Sequence, residues 1–253
     1  VSENSRIAWC DHTFNPWWGC TKTGQECVFC YAEVMAHRLG LKCWGDAPRR
    51  LFGDGHWNDP RRWDRSAARS DKRAKVFCGS MCDIFEDEVP GLDEQRMRLW
   101  KLIEITPALD WLLLTKRPEN IERMHPFIEI GGELIERFDN VWFGTTVGCR
   151  SSLPRVDELR RSPATVRFLS IEPLLEDLGH LDDIDLTGIS WVIVGCESGP
   201  NARPMEDDWV RSIRDQCRAA DVAFFFKQAM REGKLDHEPK LDGRTWRQMP
   251  EVR

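Results

Sequence analysis

Trp111-Leu112-Leu113-Leu114-Thr115 is apolar at four consecutive positions, ends on a hydroxyl, and is followed at once by Lys116-Arg117-Pro118. On a strand, successive side chains point to opposite faces, so an unbroken apolar run needs cover on both faces. That is the condition of a parallel strand inside an α/β layer. The same kind of run recurs at 75–79, 141–145, 165–169, 191–195 and 223–227. The repeat is roughly 30 residues, the length of one βα unit. Amphipathic stretches at 93–105, 152–161 and 207–220 fill the intervals as helices, and 6–14 and 31–39 supply a first strand and first helix. The pattern predicts one α/β domain over 1–253. Its architecture is a (β/α) barrel, complete or partial, of about six to seven βα units.

Most of these runs end in a functional side chain: Ser80, Lys116, Thr145 and Thr146, Ser170 and Glu172, Glu197 and Ser198, Lys227 and Gln228. Barrel active sites lie at the C-terminal ends of the strands. The plainer reading is that strand ends meet water and cap helices. Residues 41–74 interrupt the pattern as an insert after the first helix. Residues 47–75 hold nine Lys/Arg against four Asp, in a chain of net charge −6. Arg61, Arg62 and Trp63 could contact phosphates and stack on a base. Equally, the insert could be a surface subdomain with tryptophans as its small core.

The overall negative charge gives no general attraction to a phosphate backbone. No apolar run approaches the ~20 residues that span a bilayer. Val1-Ser2-Glu3-Asn4-Ser5-Arg6 lacks the basic and apolar regions of a signal peptide. The expectation is a cytoplasmic protein that does not enter membranes. In that compartment ten cysteines read as buried thiols or metal ligands.

Three of them stand in one loop: Asn15-Pro16-Trp17-Trp18-Gly19-Cys20-Thr21-Lys22-Thr23-Gly24-Gln25-Glu26-Cys27-Val28-Phe29-Cys30-Tyr31-Ala32-Glu33. The spacing is C-x6-C-x2-C. Three thiolates can hold three irons of a cubane and leave the fourth iron open to a ligand. Cys30 also opens a predicted helix, whose N-terminal dipole favours an anionic cluster. A closed zinc site with Cys10 or His12 as fourth ligand is the competing reading, and unmetallated thiols are a third.

This loop resembles the cluster loop of radical S-adenosylmethionine (SAM) enzymes. The whole chain resembles a phage- and prophage-associated family of that superfamily, long described as of unknown function. Further stretches carry the likeness: Gly79-Ser80-Met81-Cys82-Asp83-Ile84-Phe85, Leu113-Leu114-Thr115-Lys116-Arg117-Pro118, Ser170-Ile171-Glu172-Pro173-Leu174, Val192-Ile193-Val194-Gly195-Cys196-Glu197-Ser198-Gly199 and Phe225-Phe226-Lys227-Gln228. The superfamily's usual spacing is C-x3-C-x2-C, so the first interval here is longer.

The resemblance implies a [4Fe–4S] cluster on Cys20, Cys27 and Cys30. It implies SAM beside Phe29, Gly79, Ser80, Met81, Thr145, Ser170, Glu172 and Gly195, and its cleavage to a 5′-deoxyadenosyl radical that abstracts hydrogen from substrate. Cys82, Cys196, Lys116 and Glu197 are the catalytic candidates; Cys82, Cys149 and Cys196 could instead bind an auxiliary cluster. Asp83, Arg117, Lys227 and Gln228 join Arg61, Arg62 and Trp63 as substrate-side candidates. The implied substrate is a modified nucleotide or DNA base, as in phage-type pyrimidine hypermodification, with isomerisation of an attached amino-acid group among the possible reactions. The electron would come from flavodoxin or ferredoxin. The alternative is a non-catalytic barrel, stabilised by zinc or iron–sulfur, that binds nucleic acid or a partner protein.

Overall fold

The computed structural model describes residues 2–130, 133–135, 138–162, 164–178 and 184–251. Eight strands form the main sheet: β1 His12–Phe14, β2 Ala74–Cys78, β3 Leu109–Thr115, β4 Val141–Thr146, β5 Val166–Ile171, β6 Trp191–Gly195, β7 Ala223–Arg231 and β8 Lys234–Asp236. Their spatial order is their chain order. The first seven run parallel, and β8 folds back on β7 as an antiparallel hairpin. No ladder joins β1 to β7 among the described residues, so the curled sheet is a partial barrel.

The helices are α1 Tyr31–Arg38, α2 Asp54–Ser70, α3 Leu92–Glu104, α4 Ile121–Met124, α5 Pro154–Arg161 and α6 Asp207–Ala219. Strand side chains alternate between two cores, as the pleat requires. Phe77, Leu112, Trp142, Phe168, Trp191, Ile193 and Phe225 fill one face with Trp9. Their neighbours Val76, Leu113, Phe143, Leu169, Val192 and Phe224 join the core that also takes residues from the helices. In the first cluster Trp9, Trp142 and Phe225 each meet Trp191 edge-on at 6.0–6.3 Å. This aromatic plug leaves a cavity at the C-terminal strand ends.

Two expectations need correction. The first strand is only three residues long, because the chain before it turns: Ser5 N–H donates to the Asp11 carbonyl and Cys10 N–H to that of Ile7. The supposed insert also contains α2, the crossover helix between β1 and β2. Its buried stripe is Trp57, Pro60, Trp63 and Ala67, spaced for one helical face. Trp57 meets Phe14 edge-on at 5.3 Å, and Trp63 stacks on His12 at 4.3 Å. Burying those rings fixes α2 against the sheet.

Candidate active site

The cavity encloses about 270 Å³. Cys20, Cys27 and Cys30 all line it, together with the C-terminal ends of β2, β3, β4, β5, β6 and β7. Strand periodicity delivers the rest of the lining: Gly79, Ser80, Met81, Cys82 and Asp83 after β2, Lys116 after β3, Ser170 and Glu172 at β5, Cys196 and Glu197 after β6, and Lys227 and Gln228 on β7. Phe29 and Tyr31 close it from the cysteine loop.

Two arginines hold that loop from outside. Gly19 has φ +115°, and a Cβ there would stand 1.9 Å from the Cys43 carbonyl oxygen. The chain can therefore enter the loop against residue 43 only as glycine. Arg49 and Glu86 form an ion pair in which each side chain is only 2% exposed. Arg49 Nη1 also donates to the carbonyls of Cys43, Gly45 and Ala47, and Nη2 to Thr21 Oγ1. Glu86 accepts Thr21 N–H at 2.7 Å. Arg117 donates to Asp83 at 3.0 Å and to the Thr21 carbonyl at 2.8 Å, and its Nη1 lies 3.8 Å from Cys20 Sγ.

The far end of the loop is held likewise. Buried Glu26 accepts from Gly148 N–H and Arg155. Arg203 donates to the Gln25 carbonyl, pairs with Glu197 and lies over the Phe29 ring. Asn15 ties β1 to the segment after β2: its amide donates to Ser80 Oγ, and its oxygen accepts Met81 N–H at 2.7 Å.

The thiols differ in setting. Burial, then the Asp83 and Glu86 carboxylates, push the Cys20 thiol up to about 12 against the pull of Arg117. Burial also raises Cys27, but the Lys116 ammonium and hydrogen bonds from Thr23 outweigh it and hold that thiol below its usual value. Such thiols ionise fully when a metal replaces the proton. Among the described residues, no three His, Cys, Asp or Glu side chains form a group fit for a single metal ion. A cubane makes a different demand, since each thiolate takes a separate iron at its own corner. Three cysteines around one cavity, with Arg117 and Lys116 beside two of them, fit an anionic cluster. The proposed fourth zinc ligands are engaged elsewhere. His12 accepts Asn4 N–H and stacks on Trp63, and neither Cys10 nor His12 lines the cavity.

Several candidates are committed within the protein. Asp83 accepts from Thr115 Oγ1, Phe85 N–H, Lys116 N–H and Arg117, so its oxygens are saturated. Both Glu197 oxygens take Arg203, which removes Glu197 as a free base. Lys227 pairs with Glu172, and Gln228 donates to the Cys196 carbonyl. Thr145 is fully buried behind the lining and donates to the Thr115 carbonyl, whereas its neighbour Thr146 lines the cavity. A Cβ on Gly195 would sit 3.2–3.3 Å from Gln228 and Glu172, so that glycine sets how closely β6 and β7 approach. Burial raises Cys196 to about 11 and Cys82 well above its usual value; both remain thiols at the wall. Cys149 stands off the cavity with its sulfur against Ser151 and Ser152.

A family model described as "Protein of unknown function (DUF5131)" matches residues 4–250. The chain belongs to this family. No curated protein matches it. Among solved structures, a spore photoproduct lyase mutant is 14% identical, over 92% of this chain and 69% of that one, with a TM-score of 0.51. A second mutant of that lyase, with bound AdoMet and dinucleoside spore photoproduct, is 13% identical over 92% and 68%, with a TM-score of 0.49. The first likeness is one of fold: an eight-stranded, mostly parallel, partial barrel.

Arg117, Thr145 and Gly195 stand just behind the cavity lining of this DUF5131 chain, and three further candidates lie away from it. Arg61, Arg62 and Trp63 are absent from the cavity lining. Arg62 pairs with Glu3 and Asp59 at the surface. Trp63 is 2% exposed, so base stacking on Trp63 is corrected to core packing. Asn15, Glu26, Arg49, Glu86 and Arg203 were not singled out in sequence. Their only sequence signal is position within or near the quoted motifs; their partners lie up to 178 residues away.

Proposed function

We propose that the protein is a radical SAM enzyme. The observation that carries this reading is the convergence of Cys20, Cys27 and Cys30 on one cavity at the C-terminal ends of a parallel partial barrel. When bound, the cluster and SAM supply one-electron reductive cleavage and hydrogen-atom abstraction. The three cysteines would hold the cluster. Phe29, Gly79, Ser80, Met81, Ser170 and Glu172 would hold SAM, with Thr145 and Gly195 shaping the wall behind it. Lys116 has no carboxylate partner among the described residues, so its ammonium is available to an anionic group of cofactor or substrate. The Arg49, Arg117 and Arg203 contacts keep the loop fixed, and the aromatic plug keeps water out from below.

The substrate reading is a modified nucleotide or DNA base, of the kind found in phage pyrimidine hypermodification, with an attached amino-acid group isomerised. It is supported by the resemblance and by the fold shared with a spore photoproduct lyase. Cys82 and Cys196 at the wall are the candidates for returning a hydrogen atom to a product radical. The electron donor would be flavodoxin or ferredoxin. Cys10 and His12, the fourth ligands of the zinc-stabilised alternative, do not line the cavity.

Anaerobic reconstitution followed by SAM and a strong reductant tests the reading. About four iron and four sulfide per chain are expected, with 5′-deoxyadenosine as product. Stoichiometric zinc without iron would overturn it.

A further inference from the structure

Six of the ten exposed large hydrophobic residues among the described residues lie between 28 and 39: Val28, Phe29, Tyr31, Val34, Met35 and Leu39. Each is 37–57% exposed. On α1 the buried side chains are Ala32 and Ala36, so the helix turns its small residues inward and its large apolar ones to solvent. This inverts the usual pattern for a surface helix. The stripe begins beside Cys30, whose carbonyl accepts Val34 N–H at 3.1 Å. We propose that this face of α1 and the adjoining loop dock a small acidic electron-transfer protein that reduces the cluster. The inference rests on the radical SAM reading.

Four observations select that occupant. First, position: at 1.5 Å per residue, Val34 and Met35 lie only about 6–8 Å along the helix from Cys30. Second, charge: Arg38, Lys42 and Arg50 are exposed, Lys22 and Glu33 neutralise each other, and Asp46 is the only acidic residue of this segment without an ion pair among the described residues. A locally basic rim on a chain of net charge −6 complements an acidic partner and steers its approach. Third, size: Val28, Val34, Met35 and Leu39 together present on the order of 300 Å², large enough to be functional. That area is smaller than the ~800 Å² per partner of a stable dimer and suits a transient redox encounter. Fourth, chemistry: Phe29 and Tyr31 line the cavity, so the outward face is left to valine, methionine and leucine, which pack against a protein surface and offer little stacking to bases. One electron leaves the partner's redox centre and one enters the cluster; no bond forms or breaks.

The test uses reduced flavodoxin as probe with wild type, Met35→Glu, Leu39→Glu and Arg38→Glu. Bleaching of the reconstituted cluster by flavodoxin should slow at least tenfold in each variant and with added salt, while bleaching by dithionite and iron content stay unchanged. Flavodoxin binding to the iron-free protein, measured by calorimetry, should weaken in parallel. Unchanged reduction and binding would overturn the proposal. So would loss of oligonucleotide binding in place of flavodoxin binding, or a wild-type dimer that the variants dissociate. If wild type assembles no cluster, the functional reading fails; if it assembles one that flavodoxin reduces equally well in all variants, only the docking surface fails.

Discussion

Replacing Arg49 by Met is expected to free the Cys20 loop before it unfolds the barrel. The guanidinium donates to both Glu86 oxygens, three backbone carbonyls and Thr21 Oγ1. Methionine keeps most of the stem volume, so the loss is chiefly electrostatic. Removing one partner of a buried pair costs about 3–5 kcal/mol, because the other charge stays buried without compensation. Glu86 retains Thr21 N–H and has Arg117 at 3.7 Å, which points to the lower end, about 3 kcal/mol. If the loop opens locally, that is roughly a hundredfold rise in its open population. Alkylation of Cys20 in the iron-free protein, followed by peptide mass spectrometry, should accelerate by that factor, while fully buried Cys217 stays slow. Arg49→Lys should fall between, since it keeps the charge and loses the planar fork. Cys20 labelling within fivefold of wild type, with global stability lowered by less than 1 kcal/mol in urea, would refute the idea that this pair holds the loop.

Gly19→Ala should impair cluster assembly, because its Cβ would strike the Cys43 carbonyl; iron content after reconstitution is the measure. Alanine at Cys20, Cys27 or Cys30 should prevent the site-differentiated cluster, whereas Cys217→Ala should retain it, as electron paramagnetic resonance would reveal. Trp63→Ala should destabilise by about 3–5 kcal/mol and Arg61→Glu by less than about 0.5 kcal/mol, both read by denaturant titration; equal effects would contradict the placement of α2. Burial holds His56 below its ordinary pKa despite the hydrogen bond to the Asn15 carbonyl, and burial lowers His12 as well. The unfolded chain therefore takes up these protons first. Stability is full above the unfolded value, about 6.5, and is lost as pH falls through it towards the lowered folded values. The thermal midpoint should drop between pH 8 and 5.5, and less so in His56→Gln.

The sequence determined the barrel units and the cysteine loop, because both are written in local pattern. Unbroken apolar runs such as 111–115 and 191–195 report two-sided burial directly, and helices predicted at 93–105 and 207–220 end within a residue of α3 and α6. The loop at 20–30 stood out through its C-x6-C-x2-C spacing, which by itself left iron–sulfur, zinc and unmetallated readings open. Composition left α2 open between nucleotide contacts and a tryptophan core, and the burial of Trp57, Trp63 and Ala67 favours the second. Tertiary structure alone decided which polar residues are free and which are spent. Asp83 and Glu197 look like reactive carboxylates in the chain, yet each is saturated by an arginine and neighbouring donors. Arg49 and Arg203 look like surface charges, yet they hold the cysteine loop. A side chain's partners depend on which strand ends the curled sheet brings together: Asp83 meets Arg117 across 34 residues, Arg49 meets Glu86 across 37 and Arg203 meets Gln25 across 178, beyond the reach of any local pattern.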